Sequence, residues 1–149
     1  MSINTKFINL FSLVTIKAAL ATYEFLGKND KIACDKSATD AMRTELNKIS
    51  MNGRVVIGEG EMDNAPMLYI GELLGNKKGP NFDIAVDPLE GTNFAANNKP
   101  GALNKFPFSA IANTEIAPGK LFATKLVPST GSTAISKFGP FLVPRTSPV

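Results

Sequence analysis

Asp87-Pro88-Leu89-Glu90-Gly91-Thr92 is the stretch on which the fold turns. An apolar run, Asp83-Ile84-Ala85-Val86, leads into it. Ile84 and Val86 are β-branched, so the run reads as a short buried strand. Pro88 has no N–H to give a ladder, so the strand is predicted to end at Asp87. Gly91 allows a tight backbone turn. The reading places two carboxylates and a hydroxyl where a strand breaks, and hard cations such as Mg²⁺ and Mn²⁺ prefer oxygen ligands of this kind.

Upstream, two segments carry helical spacing. Ile3, Phe7, Leu10, Val14, Ala18, Ala21 and Phe25 recur at intervals of three and four, which puts them on one face, and Gly27 is a natural stop. After the polar turn at 27–31, a second helix is predicted from Asp35 to Ile49. Its apolar side is Ala38, Ala41, Met42, Leu46 and Ile49, with Asp35 and Ser37 as oxygen acceptors at its start. Arg54-Val55-Val56-Ile57 reads as a strand running into Gly58-Glu59-Gly60-Glu61. Met67–Leu74 is read as a further strand because of its length and the turn 75–80 after it. The sum is an α+β fold, two N-terminal helices packed on a mostly antiparallel sheet.

The last third is different material. Residues 1–100 carry 11 Lys/Arg and 12 Asp/Glu, whereas residues 101–149 carry 5 and 1 and six of the ten prolines. Asn104-Lys105-Phe106-Pro107 is predicted to break the strand expected to follow Gly101-Ala102-Leu103, and Pro118, Pro128, Pro140, Pro144 and Pro148 interrupt the remainder of the chain. The expected organisation is therefore an incomplete α+β unit over residues 1–103 and an irregular, Pro-rich basic tail over 104–149, disordered or read from another frame.

Composition narrows the chemistry. The 149 residues suffice for one domain, and 44% hydrophobic with 19% charged residues suits a packed core. There is no histidine and a single cysteine, Cys34, so zinc clusters of Cys and His, disulfides within the chain and His-dependent nucleophiles are excluded. Cys34 reads as a small packing residue. A net charge of +3 with scattered basic residues gives no ground for nucleic acid binding. The apolar stretch Phe7–Leu13 is interrupted by Asn9, is followed by Lys17 and is too short to span a bilayer, so a cytoplasmic protein without membrane contact is expected. Catalysis, if present, must use carboxylates, lysine, hydroxyls or a metal.

Four carboxylates stand at predicted breaks: Asp35, Glu59, Asp87 and Glu90. Gathering them in one cleft requires a cation or protons, because unpaired like charges are costly to bury. The alternative is four separate, solvated loop side chains.

The hexapeptide resembles the Asp-Pro-x-Asp/Glu-Gly-Thr/Ser signature of the lithium-sensitive sugar and inositol phosphatases. With Val56-Ile57-Gly58-Glu59-Gly60-Glu61 upstream, it most resembles the class II fructose-1,6-bisphosphatases. The resemblance runs over about residues 5–103, and chains of that family are roughly twice as long. It implies that Asp35 (in Asp30-Lys31-Ile32-Ala33-Cys34-Asp35), Glu59, Asp87 and Glu90 bind Mn²⁺ or Mg²⁺. It implies that Glu90, Gly91 and Thr92 meet a substrate phosphate. It also implies catalytic parts for Thr92, which can hydrogen-bond water or the leaving oxygen, for Lys31, which offsets phosphate charge, and for Asp63, which orients or deprotonates the nucleophile. The implied reaction is metal-dependent hydrolysis of fructose 1,6-bisphosphate in gluconeogenesis. The implied partners are a sugar bisphosphate and either a second copy or a completing C-terminal fragment. Two alternatives stand beside it: a sedoheptulose-bisphosphatase or inositol-phosphatase relative, and a non-catalytic fragment left by truncation or a disrupted frame.

Overall fold

The computed structural model describes residues 5–59, 67–112, 115–116, 120–126 and 135–142, and the side chains of residues 6–59 and 67–102. Helix α1 spans Thr5–Tyr23. Its buried stripe is Phe11, Val14, Thr15, Ala18, Ala19 and Thr22, with Phe7, Ile8 and Leu10 packed alongside. The stripe is wider than the apolar spacing predicts because threonine can line it. The Thr15 hydroxyl donates to the Ser12 carbonyl at 3.0 Å and that of Thr22 to the Ala18 carbonyl at 2.9 Å, so neither is buried unsatisfied.

Helix α2 spans Lys31–Asn47 and starts four residues before its predicted position. Asp30 is the reason. It lies in extended backbone and its carboxylate accepts the Ala33 amide at 2.9 Å, so it takes the capping place that the spacing assigns to Asp35. Asp35 therefore lies one turn inside a helix, not at a break. Cys34, Ala38, Met42 and Leu46 form the buried face of α2, which confirms Cys34 as a packing residue.

The sheet begins with β1 (Asn52–Ile57), a short antiparallel partner β2 (Leu73–Leu74) and the parallel neighbour β3 (Asn81–Ala85). Of the predicted strand over 67–74, only β2 forms. The residues before it make a turn docked on β1, with the Val55 amide bonded to the Glu72 carbonyl at 2.9 Å and the Gly71 amide to the Val55 carbonyl at 2.8 Å. Pro88 does not end the sheet either. The chain breaks at Val86 and resumes as β4 (Asp87–Glu90), followed by the short helix α3 (Thr92–Ala96).

The long strand β5 (Leu103–Ala112) pairs antiparallel with both β3 and β4, which lie along it one after the other. Asp87 pairs with Lys105 and Glu90 with Leu103, so β4 carries one residue more than β5 over that interval. Pro88 sits in this bulge, where a missing N–H is tolerated. Pro107 is accommodated in a similar way, against the expectation that it breaks a strand. On the side of β3 and β4 the pairing runs to Phe108 and resumes at Lys105, so Pro107 falls in the interval between the two shorter strands.

The sheet continues through β7 (Lys120–Leu126) to β8 (Ile135–Leu142), in the order β2-β1-β3-β5-β7-β8, with β6 (Glu115–Ile116) on the end of β5. Pro140 lies at the register shift of the outermost strand, a position sheets allow to proline. Among the described strands only β1 and β3 pair in parallel, so the sheet is mostly antiparallel as predicted.

The helices cover one face. Helix α1 packs on β5 and β7, and α2 on β2, β4 and α3. Phe7, Phe11 and Phe82 meet at the joint of α1 and β3, Phe11 and Phe82 edge to face with centroids 5.3 Å apart. Ile84, Val55, Leu74 and Met51 complete the core beneath α2. None of the described helices is long and apolar enough to cross a membrane.

Candidate metal centre

Three elements converge where β1 and β3 end. The Val86 amide donates to the Ile57 carbonyl at 2.9 Å, which joins the last residue of β1 to the residue before Asp87. Glu59 follows Ile57 by two positions, so it leaves the sheet beside Asp87. From the other side, the Gly27 and Asn29 amides donate to the Ala95 and Ala96 carbonyls of α3 at 3.0 and 2.7 Å. This places the turn into α2, and with it Asp35, against α3 and β4.

Electrostatics records the convergence. The Glu59 carboxyl is pushed up to about 7, chiefly by partial desolvation, then by the charges of Asp35 and of Asp87. The residue as a whole is exposed, so its carboxylate is crowded at the surface and not sealed in the core. Asp35 is half-buried, and desolvation raises its carboxyl as well. The charges of Asp35 on α2 and of Asp87 on β4 thus both bear on Glu59 beyond the end of β1.

Asp87 and Glu90 stand at the two ends of β4, with Glu90 exposed. Gly91 comes next with φ of 76°, a left-handed turn that suits glycine, and a Cβ there would approach Phe94 Cδ2 to 3.0 Å. Thr92 opens α3, and its hydroxyl donates to the Leu89 carbonyl at 3.1 Å, which fixes its rotamer and leaves its lone pairs as acceptors. Lys31 is the exposed first residue of α2. Asp63 lies outside the described residues.

The donor set suits a hard divalent cation, since every member is a carboxylate and both Asp35 and Asp87 add to the repulsion at Glu59. Among the described residues, however, no three acidic or cysteine side chains close on one point as a ready-made cage. The structure brings carboxylate oxygens and negative charge to one region without gathering three of them on one point.

Two features of this site escape the sequence reading. A Cβ on Gly58 would lie 2.1 Å from the Leu68 carbonyl oxygen, so the first glycine of Gly58-Glu59-Gly60 is required by a backbone crossing. Leu68 itself is fully buried with φ of 56°, a left-handed conformation that costs a leucine about 1–2 kcal/mol. Neither has a local signal, because each depends on the other segment's position.

Known proteins share this chain's sequence and fold. Residues 6–132 match the family model described as bacterial fructose-1,6-bisphosphatase, glpX-encoded. Over 93 residues the chain is 54% identical to fructose-1,6-bisphosphatase 1 class 2 of Escherichia coli strain K12, covering 62% of the chain and 28% of that relative. It is 52% identical over 90 residues to the D-fructose 1,6-bisphosphatase class 2/sedoheptulose 1,7-bisphosphatase of Prochlorococcus marinus strain MIT 9303, covering 60% of the chain and 27% of that protein. The chain thus spans little more than a quarter of the length of these relatives. An extragenic suppressor from Pyrococcus furiosus shares the fold, with a TM-score of 0.50 at 12% identity over 91% of this chain and 55% of that one. The family match passes residue 103, where the resemblance read from the motifs ends, while the matches to these two relatives extend over 93 and 90 residues.

Proposed function

For a chain that belongs to the family of bacterial, glpX-encoded fructose-1,6-bisphosphatases, we propose a part in metal-dependent hydrolysis of a sugar bisphosphate, fructose 1,6-bisphosphate first. The observation that carries this reading is that Glu59, partly desolvated where β1 ends, feels the charges of both Asp35 and Asp87, which together raise its carboxyl to about 7. Such a cluster is stabilised by a divalent cation, and Mn²⁺ or Mg²⁺ suits carboxylate oxygen best.

In this reading Asp35, Glu59, Asp87 and Glu90 hold the ion. When bound, it neutralises phosphoryl oxygen and lowers the pKa of water. The chain's own groups do the rest. Thr92, its hydroxyl already donated to the Leu89 carbonyl, offers an acceptor that orients water. The left-handed Gly91 brings backbone close to a phosphate without a side chain in the way. Glu90 holds substrate next to it, Lys31 offsets phosphate charge, and Asp63 takes the proton from the attacking water.

The chain covers only 28% of its Escherichia coli relative, so the remaining sugar and phosphate contacts are assigned to a further polypeptide segment or a partner copy. Residues 104–149 are read as the part that departs in sequence from those relatives, and the working location is the cytoplasm. A second substrate, sedoheptulose 1,7-bisphosphate, is favoured by the identity to the Prochlorococcus marinus enzyme named for both sugars.

The test is phosphate release from each bisphosphate with Mn²⁺, with and without EDTA. Turnover that EDTA abolishes and Asp87→Asn lowers about 100-fold or more, the scale of losing an acid that organises the reacting groups, supports the enzyme. Absence of turnover with normal Mn²⁺ binding assigns the chain to a metal-binding fragment.

A further inference from the structure

Glu72 is a buried carboxylate, 5% exposed, outside the acidic cluster. One of its oxygens accepts from Arg43 Nε of α2 at 2.6 Å, and the other accepts the backbone amide of Leu68. Leu68 is the residue held in the left-handed conformation, and its carbonyl accepts the Glu59 amide at 3.1 Å. That carbonyl also lies against Gly58. A connected path therefore runs from the α2 side chain Arg43 through Glu72 and Leu68 to the backbone of Glu59. It crosses from the helix that carries Asp35 to the strand end that carries Glu59.

We propose that Arg43 and Glu72 are positioning residues that set the backbone of Glu59 relative to Asp35 and Asp87, and so set the affinity of the acidic site for a divalent cation without touching it. This rests on the reading of Glu59 as a metal ligand. The physical argument is one of sparse restraint. Glu59 lies beyond the last strand pairing of β1, so its one described backbone bond to another segment goes to Leu68. Leu68 keeps an unfavourable conformation only while its surroundings over-determine it, and the Glu72 carboxylate is the polar group that holds its amide. Without that acceptor a buried N–H is orphaned, Leu68 relaxes, and the carbonyl that anchors Glu59 moves with it.

The experiment uses the full chain, Mn²⁺ as the probe, and two readouts: Mn²⁺ affinity from the loss of the free-ion electron paramagnetic resonance signal, and hydrogen exchange at the Glu59 amide. Glu72→Ala is expected to weaken Mn²⁺ binding about 10–100-fold, the range seen when groups supporting metal ligands are removed. It is also expected to speed exchange at Glu59 while leaving Ala18 in α1 at its wild-type rate. Glu72→Gln, which can keep only one of the two acceptors, should fall between wild type and Glu72→Ala in both readouts, and it decides the matter if Glu72→Ala does not fold. Leu46→Ala serves as a destabilised control and should leave Mn²⁺ affinity within about 3-fold while it stays folded, because the helical ladder of α2 and the remaining packed residues Cys34, Ala38 and Met42 still hold Asp35. Folded Glu72 variants with wild-type exchange at Glu59 and wild-type Mn²⁺ affinity overturn the proposal. If Glu59→Gln binds Mn²⁺ like wild type while Glu72→Ala still frees the Glu59 amide, the ligand reading of Glu59 is what fails, and the claim about affinity falls with it.

Discussion

Asp35 and Glu59 face the same acidic site but are held in opposite ways. Asp35 sits one turn inside α2, a helix capped by Asp30 and anchored by Cys34, Ala38, Met42 and Leu46. Its place is set by a repeating ladder and a packed face. Glu59 sits two residues beyond β1 and, among the described residues, is tied to another segment by one backbone bond, to a left-handed leucine. The difference teaches that a site can be rigid on one side and conditional on the other. On the proposed reading of the acids as metal ligands, the conditional side is where affinity is most easily tuned.

The contrast can be tested at several points. The largest effect is expected from Leu46→Ala, which empties a fully buried position on the α2 side and should cost about 2–5 kcal/mol of stability in denaturant titrations. Gly58→Ala strikes the other side. The new methyl meets the Leu68 carbonyl, and backbone there must shift, for a loss of about 1–3 kcal/mol. Unlike Leu46→Ala, it should also weaken Mn²⁺ binding in the molecules that remain folded. If the two variants lower affinity equally, the two sides are not held differently.

Asp30→Ala removes the cap of α2 and should cost about 1 kcal/mol. Thermal melts would check it, and Glu59 exchange should not respond.

The smallest effect concerns the electrostatic half of the contrast. The Glu59 carboxyl rises from its ordinary 4.5 to about 7 in the folded chain, so the folded state holds more protons between those values. The stabilising contribution of this group is complete below its unfolded value and is lost as pH rises through about 7, and the raised Asp35 adds in the same direction. Metal-free melting temperatures should therefore fall slightly between pH 5 and 8, on the order of a few degrees or less. Mn²⁺ should reverse the trend, and Glu59→Gln should flatten it. A metal-free melting temperature that rises over this range would sink the account of the cluster as mutually repelling acids.

Much of this is legible in the residues. Helical spacing locates α1 and α2, and β-branched runs locate β1 and β3. The hexapeptide with Val56–Glu61 points to the family whose model matches residues 6–132. The departures share a cause. Pro88 and Pro107 read as strand breakers because proline lacks a donor, but a bulge and an interval between partner strands remove the need for one. Asp35 reads as a cap because it precedes an apolar periodicity, while the nearby Asp30 takes that place. In each case the decisive partner lies on another strand, or a second residue competes for the same local task.

By itself the sequence determined the class of the fold, the identity of the acids and the chemistry open to them, since periodicity, side-chain type and short-range spacing are local properties. Only the tertiary structure decided that Asp35 and Asp87 bear on Glu59, and that Glu72, an inconspicuous acid in an apolar stretch, grips Arg43 from one side and Leu68 from the other. The reason is physical. A charge acts over ångströms of space, and Arg43 and Glu72 become neighbours only after helix and sheet have packed.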